Sequence, residues 1–451
     1  MELLNVNQVQ YVLFHLNQHV DLSEIRSVIS YGSGENESGI FFSASDKSID
    51  ENFKITFKGE DIPVLFPCGS SSAFFEMKGN QLVFYHDILK ASFYLLSGYQ
   101  EMHINEPDTM ERYSFDESIQ KRLSCVGKPL VNYCFEIIAE GIELYCKYNN
   151  VDFKPKRLFE SFGFMLTHDV DRIDYFHWRE TVLKFLQLLG LKTLPYDKKR
   201  LVKSTLNAVL PTLFPGYKPN PWWNFQALRK DEKVLGLKSV WYFLNRDGSP
   251  HDAKYNLEEK RIKDLMAMLQ RQGCEVGLHG SIKTAQNSSA MKLAKERVDR
   301  SSAGSVVGAR QHFLKFHYPE TLNHQQKAGL KYDTTMGFAE HEGFRNSYCY
   351  PFHPYDHEKD CMMDIWEFPL TVMDGTLLDY RKLEYSEMYH SFNLLMDEIE
   401  RFGGLMVVLW HNCNFDEYQY PGIKAYYDQQ LMAVGERLPK SVTGKDVLEL
   451  L

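Results

Sequence analysis

Acidic and imidazole side chains that could support hydrolysis follow apolar runs at separate points of the sequence. The run FGFMLT leads directly into His168, Asp169, Val170 and Asp171. On an extended backbone, positions two apart point to the same side, so Asp169 and Asp171 can share one site. One carboxylate could ligate a cation while the other accepts a proton from a water whose pKa that cation lowers. The pair therefore indicates metal-assisted hydrolysis, although Asp171 alone could equally cap a following helix.

Two further runs end in residues that could complete a metal site. EVGL leads into His279, and SVVGAR ends in Arg310, which Gln311, His312 and Phe313 follow. Neutral imidazole is a common ligand of zinc, so His279 is a candidate ligand, the alternative being a hydrogen-bonded buried histidine. Arg310 could orient a carboxylate through a bidentate contact, or form a surface salt bridge. His312 could complete the metal site or pack in the core.

A fourth run, MVVLW, leads into His411 and belongs to the most apolar predicted strand of the chain. A histidine there could donate a proton to a leaving amine or alcohol. Asp333, in the segment KYDTTMG, could hold that imidazole in one tautomer, or could be a turn residue. The sequence thus supplies a candidate acid and leaves its partner open.

Two other features bear on a ligand. The adjacent Trp222 and Trp223 could stack on a sugar ring, although such pairs also serve as core packing. The basic stretch at 198–200, with Lys192 and Lys203, is explained by a solvated face, or could attract an anionic glycan or a lipid-phosphate carrier.

The segments that carry these residues alternate between strand-like and helix-like patterns from about residue 160 onward. Strands are predicted at 161–167, 239–244, 275–280 and 404–410, and helices at 173–189, 258–272, 319–330 and 383–402. This alternation predicts an α/β fold with a parallel sheet, open or closed as a barrel. Active residues gather at the carboxyl ends of such strands, so we expect the candidates to meet at one rim.

The sequence predicts three parts. Residues 1–110 read as a small α/β domain of unknown role, with a helix starting near Asp87. Residues 111–158 read as a connector and a bridging helix, and residues 159–451 as the catalytic domain. A length of 451 residues agrees with two or three domains.

Bulk composition narrows the functional classes. A net charge of -9 argues against a nucleic-acid partner, since phosphate contacts need a basic face. The amino-terminal residues lack a basic start followed by an apolar stretch, and no segment approaches 18 uninterrupted apolar residues, so we expect neither a secretion signal nor a membrane span. The eight cysteines include no CxxC pair, which favours reduced thiols and a cytoplasmic protein.

These motifs, in this order, resemble those of the polysaccharide deacetylases (carbohydrate esterase family 4, the NodB-like hydrolases). LTHDVD (166–171) resembles the first motif, GLHGSIKTA (277–285) the second, RQHF (310–313) the third and VLWHN (408–412) the last. The resemblance covers about 160–451 and implies a distorted (β/α) barrel. The amino-terminal part resembles a domain of unknown function that precedes such enzymes in some bacterial proteins, through SFYLLSGYQE (92–101). The chain would be a divergent bacterial member with an extra domain.

The resemblance also implies roles. Asp169 would be the catalytic base, Asp171 and His279 would ligate a divalent metal, expected to be zinc, and Arg310 would steady the base. His411 would be the acid. The implied reaction is removal of acetyl groups from N-acetylated or O-acetylated carbohydrate, on a glycan or a lipid-linked glycan, in surface polysaccharide metabolism.

Two residues depart from the family pattern. Lys283 stands four residues after His279, where a second metal histidine is expected, and His312 stands at a position that is proline in the third motif. His312, His168 or water could replace the missing ligand. The alternatives are an amidohydrolase acting on a small amide or imide, and a non-catalytic carbohydrate-binding relative without the metal.

Overall fold

The computed structural model of the protein describes residues 2–33, 39–103, 107–193, 197–214, 216–249 and 251–451. A four-stranded sheet in the order β1-β2-β6-β5 and a β3-β4 hairpin form the amino-terminal part. The Asp87 side chain accepts a hydrogen bond from the Lys90 amide and starts α2, as predicted. The elements here are α1 (Val6–Leu16), β1 (Ile29–Gly32), β2 (Ile40–Ser43), β3 (Lys54–Phe57), β4 (Glu60–Pro63), β5 (Phe75–Lys78), β6 (Gln81–Phe84), α2 (Ile88–Leu96), α3 (Ile119–Arg122) and α4 (Leu130–Asn149).

The rest of the chain alternates strands and helices, which confirms the predicted α/β class. The strands are β7 (Gly163–Val170), β8 (Ser239–Leu244), β9 (Glu275–Gly280), β10 (Gly308–Gln311), β11 (Tyr332–Asp333), β12 (Tyr355–Asp356), β13 (Cys361–Met362), β14 (Trp366–Glu367), β15 (Leu370–Met373), β16 (Leu405–His411) and β17 (Lys440–Ser441). The helices are α5 (Trp178–Leu188), α6 (Lys198–Leu213), α7 (Phe225–Val234), α8 (Lys260–Arg271), α9 (Ser288–Ser301), α10 (Glu320–Lys327), α11 (Tyr385–Phe402), α12 (Ile423–Glu436) and α13 (Gly444–Leu448).

The main sheet is parallel and curls into a distorted barrel. Its order is β14-β11-β10-β9-β8-β7-β16-β15, and β17 pairs with β7. The first and last strands of this path are consecutive in sequence, with only residues 368 and 369 between them. Such a link spans at most about 10 Å, so the two edges of the sheet must approach each other. Strand β7 is buried along its whole length, as expected of a strand covered on both faces.

The amino-terminal part packs on this barrel through a shared apolar core. One continuous cluster of buried side chains includes Phe93 of α2, Ile138 of α4, Phe164 of β7 and Leu278 of β9. Nothing among the helices of the described ranges combines the length and apolar character that crossing a bilayer requires.

Candidate active site

Two pairs of adjacent strands, β7 with β16 and β9 with β10, lie on either side of β8 and bring the predicted residues to one rim of the sheet. Asp169 of β7 lies beside His411 of β16, and His279 of β9 lies beside Arg310 of β10. Asp171 follows β7 directly in a loop, and α5 begins only at Trp178 with His177 as its N-cap. Asp171 is therefore free of the helix-capping role that its position in the sequence also allowed.

Asp171, His279 and His312 form a cluster that could hold a metal ion. The nearest atoms are Asp171 Oδ1 and His279 Nε2 at 3.3 Å, and Asp171 Oδ2 and His312 Nε2 at 3.6 Å. One ligand atom from each residue lies within 4.8 Å of the other two. Adjacent ligands of a tetrahedral zinc ion, with bonds of about 2.0–2.1 Å, lie about 3.3 Å apart, so these side chains need little movement to bind one.

The hydrogen bonding of His279 favours a cation at this point. Its Nδ1 lies 3.0 Å from the Arg310 carbonyl oxygen, which can only accept, so Nδ1 carries a proton and the neutral ring presents its lone pair at Nε2. That lone pair faces two carboxylates, Asp169 at 3.5 Å and Asp171 at 3.3 Å. Among the described residues, His279 Nε2 and Asp171 Oδ1 are buried atoms without a hydrogen-bond partner. A cation between these electron-rich atoms would satisfy them, so the donor set fits a divalent metal.

The electrostatics of the cluster agree with this fit. Burial alone would raise the pKa of Asp171, but His312, His279 and His411 hold it well below its usual range. Burial alone would lower the pKa of His279, but Asp169 and Asp171 raise it, so the position beside its Nε2 favours a positive charge, whether a proton or a metal cation. The carboxylate is thus kept ionised, which is the form that ligates a metal.

Asp169 is buried and held by Arg310. Arg310 Nη1 donates to Thr167 Oγ1 at 2.6 Å and to Asp169 Oδ1 at 3.2 Å, and its Nε donates to the Thr334 carbonyl at 3.0 Å. The contact with Asp169 is therefore a single hydrogen bond, so the bidentate geometry that the sequence suggested is wrong. The remaining oxygen, Oδ2, faces His279.

His411 is oriented by a carboxylate that sequence reasoning missed. Its Nδ1 lies 2.6 Å from Asp374 Oδ1, and its backbone N–H donates to Asp374 Oδ2 at 2.8 Å. Its Nε2 faces Asp171 Oδ2 at 3.7 Å. Burial alone would lower the pKa of His411, but Asp374 and Asp171 raise it to about 10. The imidazole is thereby fixed with Nε2 towards the cluster.

The predicted pairing of Asp333 with His411 is wrong. The Asp333 carboxylate accepts hydrogen bonds from Gln325 Nε2, Thr335 Oγ1 and the Thr335 amide at 2.5, 2.8 and 2.7 Å. These bonds fix the loop after β11, and Asp374 occupies the place proposed for Asp333. Asp374 directly follows the carboxyl end of β15. The strand-end position that indicated the other site residues would therefore have indicated Asp374 as well.

Of the two histidines that could replace the missing metal ligand, the structure places only His312 in the cluster. His168 lies on the opposite side of β7, where its Nε2 contacts Glu232 Oε1 at 2.9 Å and its ring stacks on Trp241. His168 is therefore a buried structural residue. Lys283 is exposed on a short helical turn after β9. His312 alone of these three residues joins the cluster.

A cavity of about 420 Å³ opens above the cluster. Its floor includes Asp169, Asp171, His312 and His411. Its wall includes Trp222 and Arg172. Trp223 packs instead against the Phe225 ring, at 5.2 Å between centroids. Of the two tryptophans predicted to contact a sugar, the structure places only Trp222 at the cavity.

An arginine from the connector also lines the cavity. Arg112 donates to the Phe313 carbonyl at 2.5 Å and to Tyr380 Oη at 3.2 Å, and its Nε donates to Asp108 at 2.6 Å. Nothing in the polar sequence around residue 112 sets this arginine apart, so sequence reasoning missed it.

Comparisons with known proteins give two kinds of match. The model of a family of unknown function (DUF7033) matches residues 4–146. A search of curated proteins finds no match. A structure from Pseudomonas aeruginosa named as a "probable polysaccharide deacetylase" is 11% identical, with a TM-score of 0.42, over 68% of this chain and 96% of that one.

Two other solved structures are similar at the same level. The Puue allantoinase is 11% identical, with a TM-score of 0.41, over 66% of this chain and 93% of that one. A family 4 carbohydrate esterase pseudoenzyme from Bacillus anthracis is 12% identical, with a TM-score of 0.31, over 51% of this chain and 61% of that one. The strand order of the sheet itself defines the fold.

Proposed function

We propose that this protein is a divalent-metal-dependent hydrolase that removes acetyl groups from N-acetylated or O-acetylated carbohydrate. The observation that carries the proposal is that one candidate base, a cluster of three candidate ligands and one oriented histidine lie together at the floor of a single cavity, with His279 just beneath its lining. A small divalent cation, for which zinc is the first candidate, would be held by Asp171, His279 and His312. When bound, it would polarise the acyl oxygen and lower the pKa of an attacking water.

The residues around that position divide the proton transfers between them. Asp169 lies at the cavity with one oxygen held by Arg310 and the other free to accept a proton from water. His411 lies at the same cavity with its Nε2 directed inward. Because Asp374 accepts from Nδ1, the proton available for the leaving nitrogen or oxygen is the one on Nε2. The base and the acid thus face the same space from two neighbouring strands.

The surroundings support a sugar as the group that carries the acetyl. The cavity of about 420 Å³ is within the usual range for small-ligand sites and has Trp222 in its wall, whose ring could stack on a pyranose. We propose a carbohydrate or lipid-linked glycan as the substrate, and surface polysaccharide metabolism as the setting. We also propose that residues 159–451 are the catalytic part. Residues 1–110 and the connector at 111–158 would pack against it and stabilise it.

A cytoplasmic location belongs to the same proposal. All eight cysteines are free thiols and five of them are buried, which is typical of proteins in reducing compartments. Cys125, Cys134 and Cys349 also have a raised thiol pKa because of burial, so they are poor nucleophiles for disulfide exchange.

The experiment is acetate release from N-acetylated oligosaccharides by zinc-loaded protein, with the metal content measured on the same sample. Asp169→Asn should reduce turnover by a factor of about 10²–10⁴, as expected for loss of a general base, while metal is retained. Asp356→Asn is the matched control, because Asp356 is a buried aspartate of β12 and should leave turnover unchanged. Undiminished turnover in Asp169→Asn would remove Asp169 as the base. Stoichiometric metal without acetate release, but with hydrolysis of a cyclic amide, would assign a different amidohydrolase.

A further inference from the structure

Helices α5 and α6 expose apolar side chains in a pattern that a water-facing helix pair does not need. In α5, Trp178, Val182 and Phe185 are 58%, 45% and 46% exposed, and Leu189, its C-cap, is 72% exposed. Positions spaced by four, three and four residues fall on one face of a helix. This face of α5 is therefore an apolar stripe that points to solvent.

Helix α6 repeats the pattern. Val202, Leu206, Leu210 and Leu213 are exposed, and Leu206 is 70% exposed. The buried side of α6 carries one large apolar residue, Leu201, and otherwise Ser204, Thr205, Ala208 and Pro211, whereas four large apolar residues of the same helix face solvent. The burial is thus inverted relative to an ordinary surface helix, which turns its larger apolar residues inward. The two helices pack against each other, with Thr181 Oγ1 and Thr212 Oγ1 2.7 Å apart.

The charge of the same region is opposite to that of the whole protein. Two acidic residues, Glu180 and Asp197, lie within 178–193, 197–214 and 216–218. The exposed basic residues of these ranges are seven: Arg179, Lys192, Lys198, Lys199, Arg200, Lys203 and Lys218. The chain as a whole has a net charge of -9. Exposed leucine and aromatic side chains flanked by lysine and arginine are typical of helices that lie in the interface of an anionic bilayer.

We propose that the α5–α6 helix pair docks the protein on the surface of an anionic lipid bilayer. A second copy of the chain is a poorer occupant, because pairing this face with itself would bring seven exposed basic side chains from each copy together. The lipid surface is instead complementary in both apolar character and charge. The helix pair would lie in the interface plane without crossing the bilayer.

The position of the helix pair relates this surface to the cavity. Arg172, before α5, and Trp222, after α6, both line the cavity. Asn207 of α6 also donates to Tyr418 Oη at 2.6 Å, next to Gln419, another lining residue. Docking would therefore bring the cavity close to the headgroups, where an amphiphilic substrate would be found. Lipid binding does not require the proposed hydrolysis and is tested separately from it.

The test is flotation of the full-length protein with two kinds of vesicle. One is made of phosphatidylcholine alone, and in the other about a third of the lipid is the anionic phosphatidylglycerol. We expect binding to the anionic vesicles only. The double variant L189S/L206S should lose roughly a hundredfold in partition coefficient, because each leucine contributes about tenfold when buried. The double variant K198E/K199E should lose at least about tenfold, and added salt should weaken the binding of the unaltered protein.

The matched control is V234S/L438S, which removes two apolar side chains that are 79% and 84% exposed outside the helix pair. This control should bind vesicles like the unaltered protein, and circular dichroism should show that all variants are folded. Absence of flotation with either vesicle would overturn the proposal, as would equal flotation of L189S/L206S. A dimer seen by light scattering that L189S/L206S dissociates, without vesicle binding, would assign the face to self-association instead.

Discussion

Replacing His312 by alanine is the sharpest test of the metal site, because this residue separates the cluster from the family pattern. His312 is 6% exposed, and its Nε2 lies 3.6 Å from Asp171 Oδ2. It supplies one of three protein ligand atoms that lie within 4.8 Å of one another. Structural zinc sites with four ligands bind with about 10–16 kcal/mol, or about 2.5–4 kcal/mol for each ligand. Losing one ligand should therefore weaken the zinc Kd by roughly two to three orders of magnitude.

The assay is competition for zinc between the metal-free protein and a chromogenic chelator at pH 7.5, a value at which neutral imidazole is available. Lys283→Ala is the matched control, since Lys283 occupies the position of the family's second histidine and is exposed. It should change the Kd by less than about twofold. If His312→Ala bound zinc as tightly as the unaltered protein, the assignment of His312 as a ligand would be refuted. If Lys283→Ala were the weaker binder, the family position would be the functional one after all.

Three further variants test the supporting residues. Asp374→Asn should lower acetate release by about 10²–10⁴-fold with zinc affinity unchanged, because it alters only the orientation and charge of His411; a metal titration beside the rate measurement checks this. Arg310→Met should lower the free energy of unfolding in urea by about 3–5 kcal/mol, because it leaves a buried carboxylate without its partner. Burial and the charge of Asp333 raise the pKa of Glu367 well above its usual range. Protonation of Glu367 thus stabilises the fold at acidic pH, and this contribution is lost as pH rises through the folded-state pKa. The free energy of unfolding of Glu367→Gln, relative to that of the unaltered protein, should therefore rise with pH. Urea titrations between about pH 5 and 9 measure this difference.

The strand-end rule located residues where a strand has a long apolar run. Strands β7 and β16 are eight and seven residues long, and the residues at their ends could be assigned from the sequence. Strand β15 has four residues, like β10, but only two residues separate it from β14 and one of them is Pro369, so no separate strand stood out and Asp374 was missed. Strand β11 has two residues, and the sequence could not show that Asp333 turns towards Gln325.

The role of His312 could not be decided from the sequence for a different reason. The chain leaves β10 at Gln311, and the next residues have the left-handed backbone conformation at Phe313 (φ 59°) and Leu314 (φ 53°). This conformation is usual for glycine or asparagine and rare for bulky residues. Neither residue type signals the turn, so the direction of the His312 side chain depends on tertiary contacts.

Arg112 makes one of those contacts, and it connects the region before the barrel to the candidate site. A left-handed bulky residue costs about 1–2 kcal/mol, so the turn at Phe313 persists only if its surroundings hold it. Arg112 holds the Phe313 carbonyl at 2.5 Å and is itself fixed by Asp108, although both lie outside the part of the chain that resembles a deacetylase. The imidazole of His312, one residue before, stacks on the Phe313 ring at 4.0 Å between centroids. The position of His312, the third candidate ligand, therefore depends on residues upstream of the barrel, which gives those residues a physical role in the candidate site.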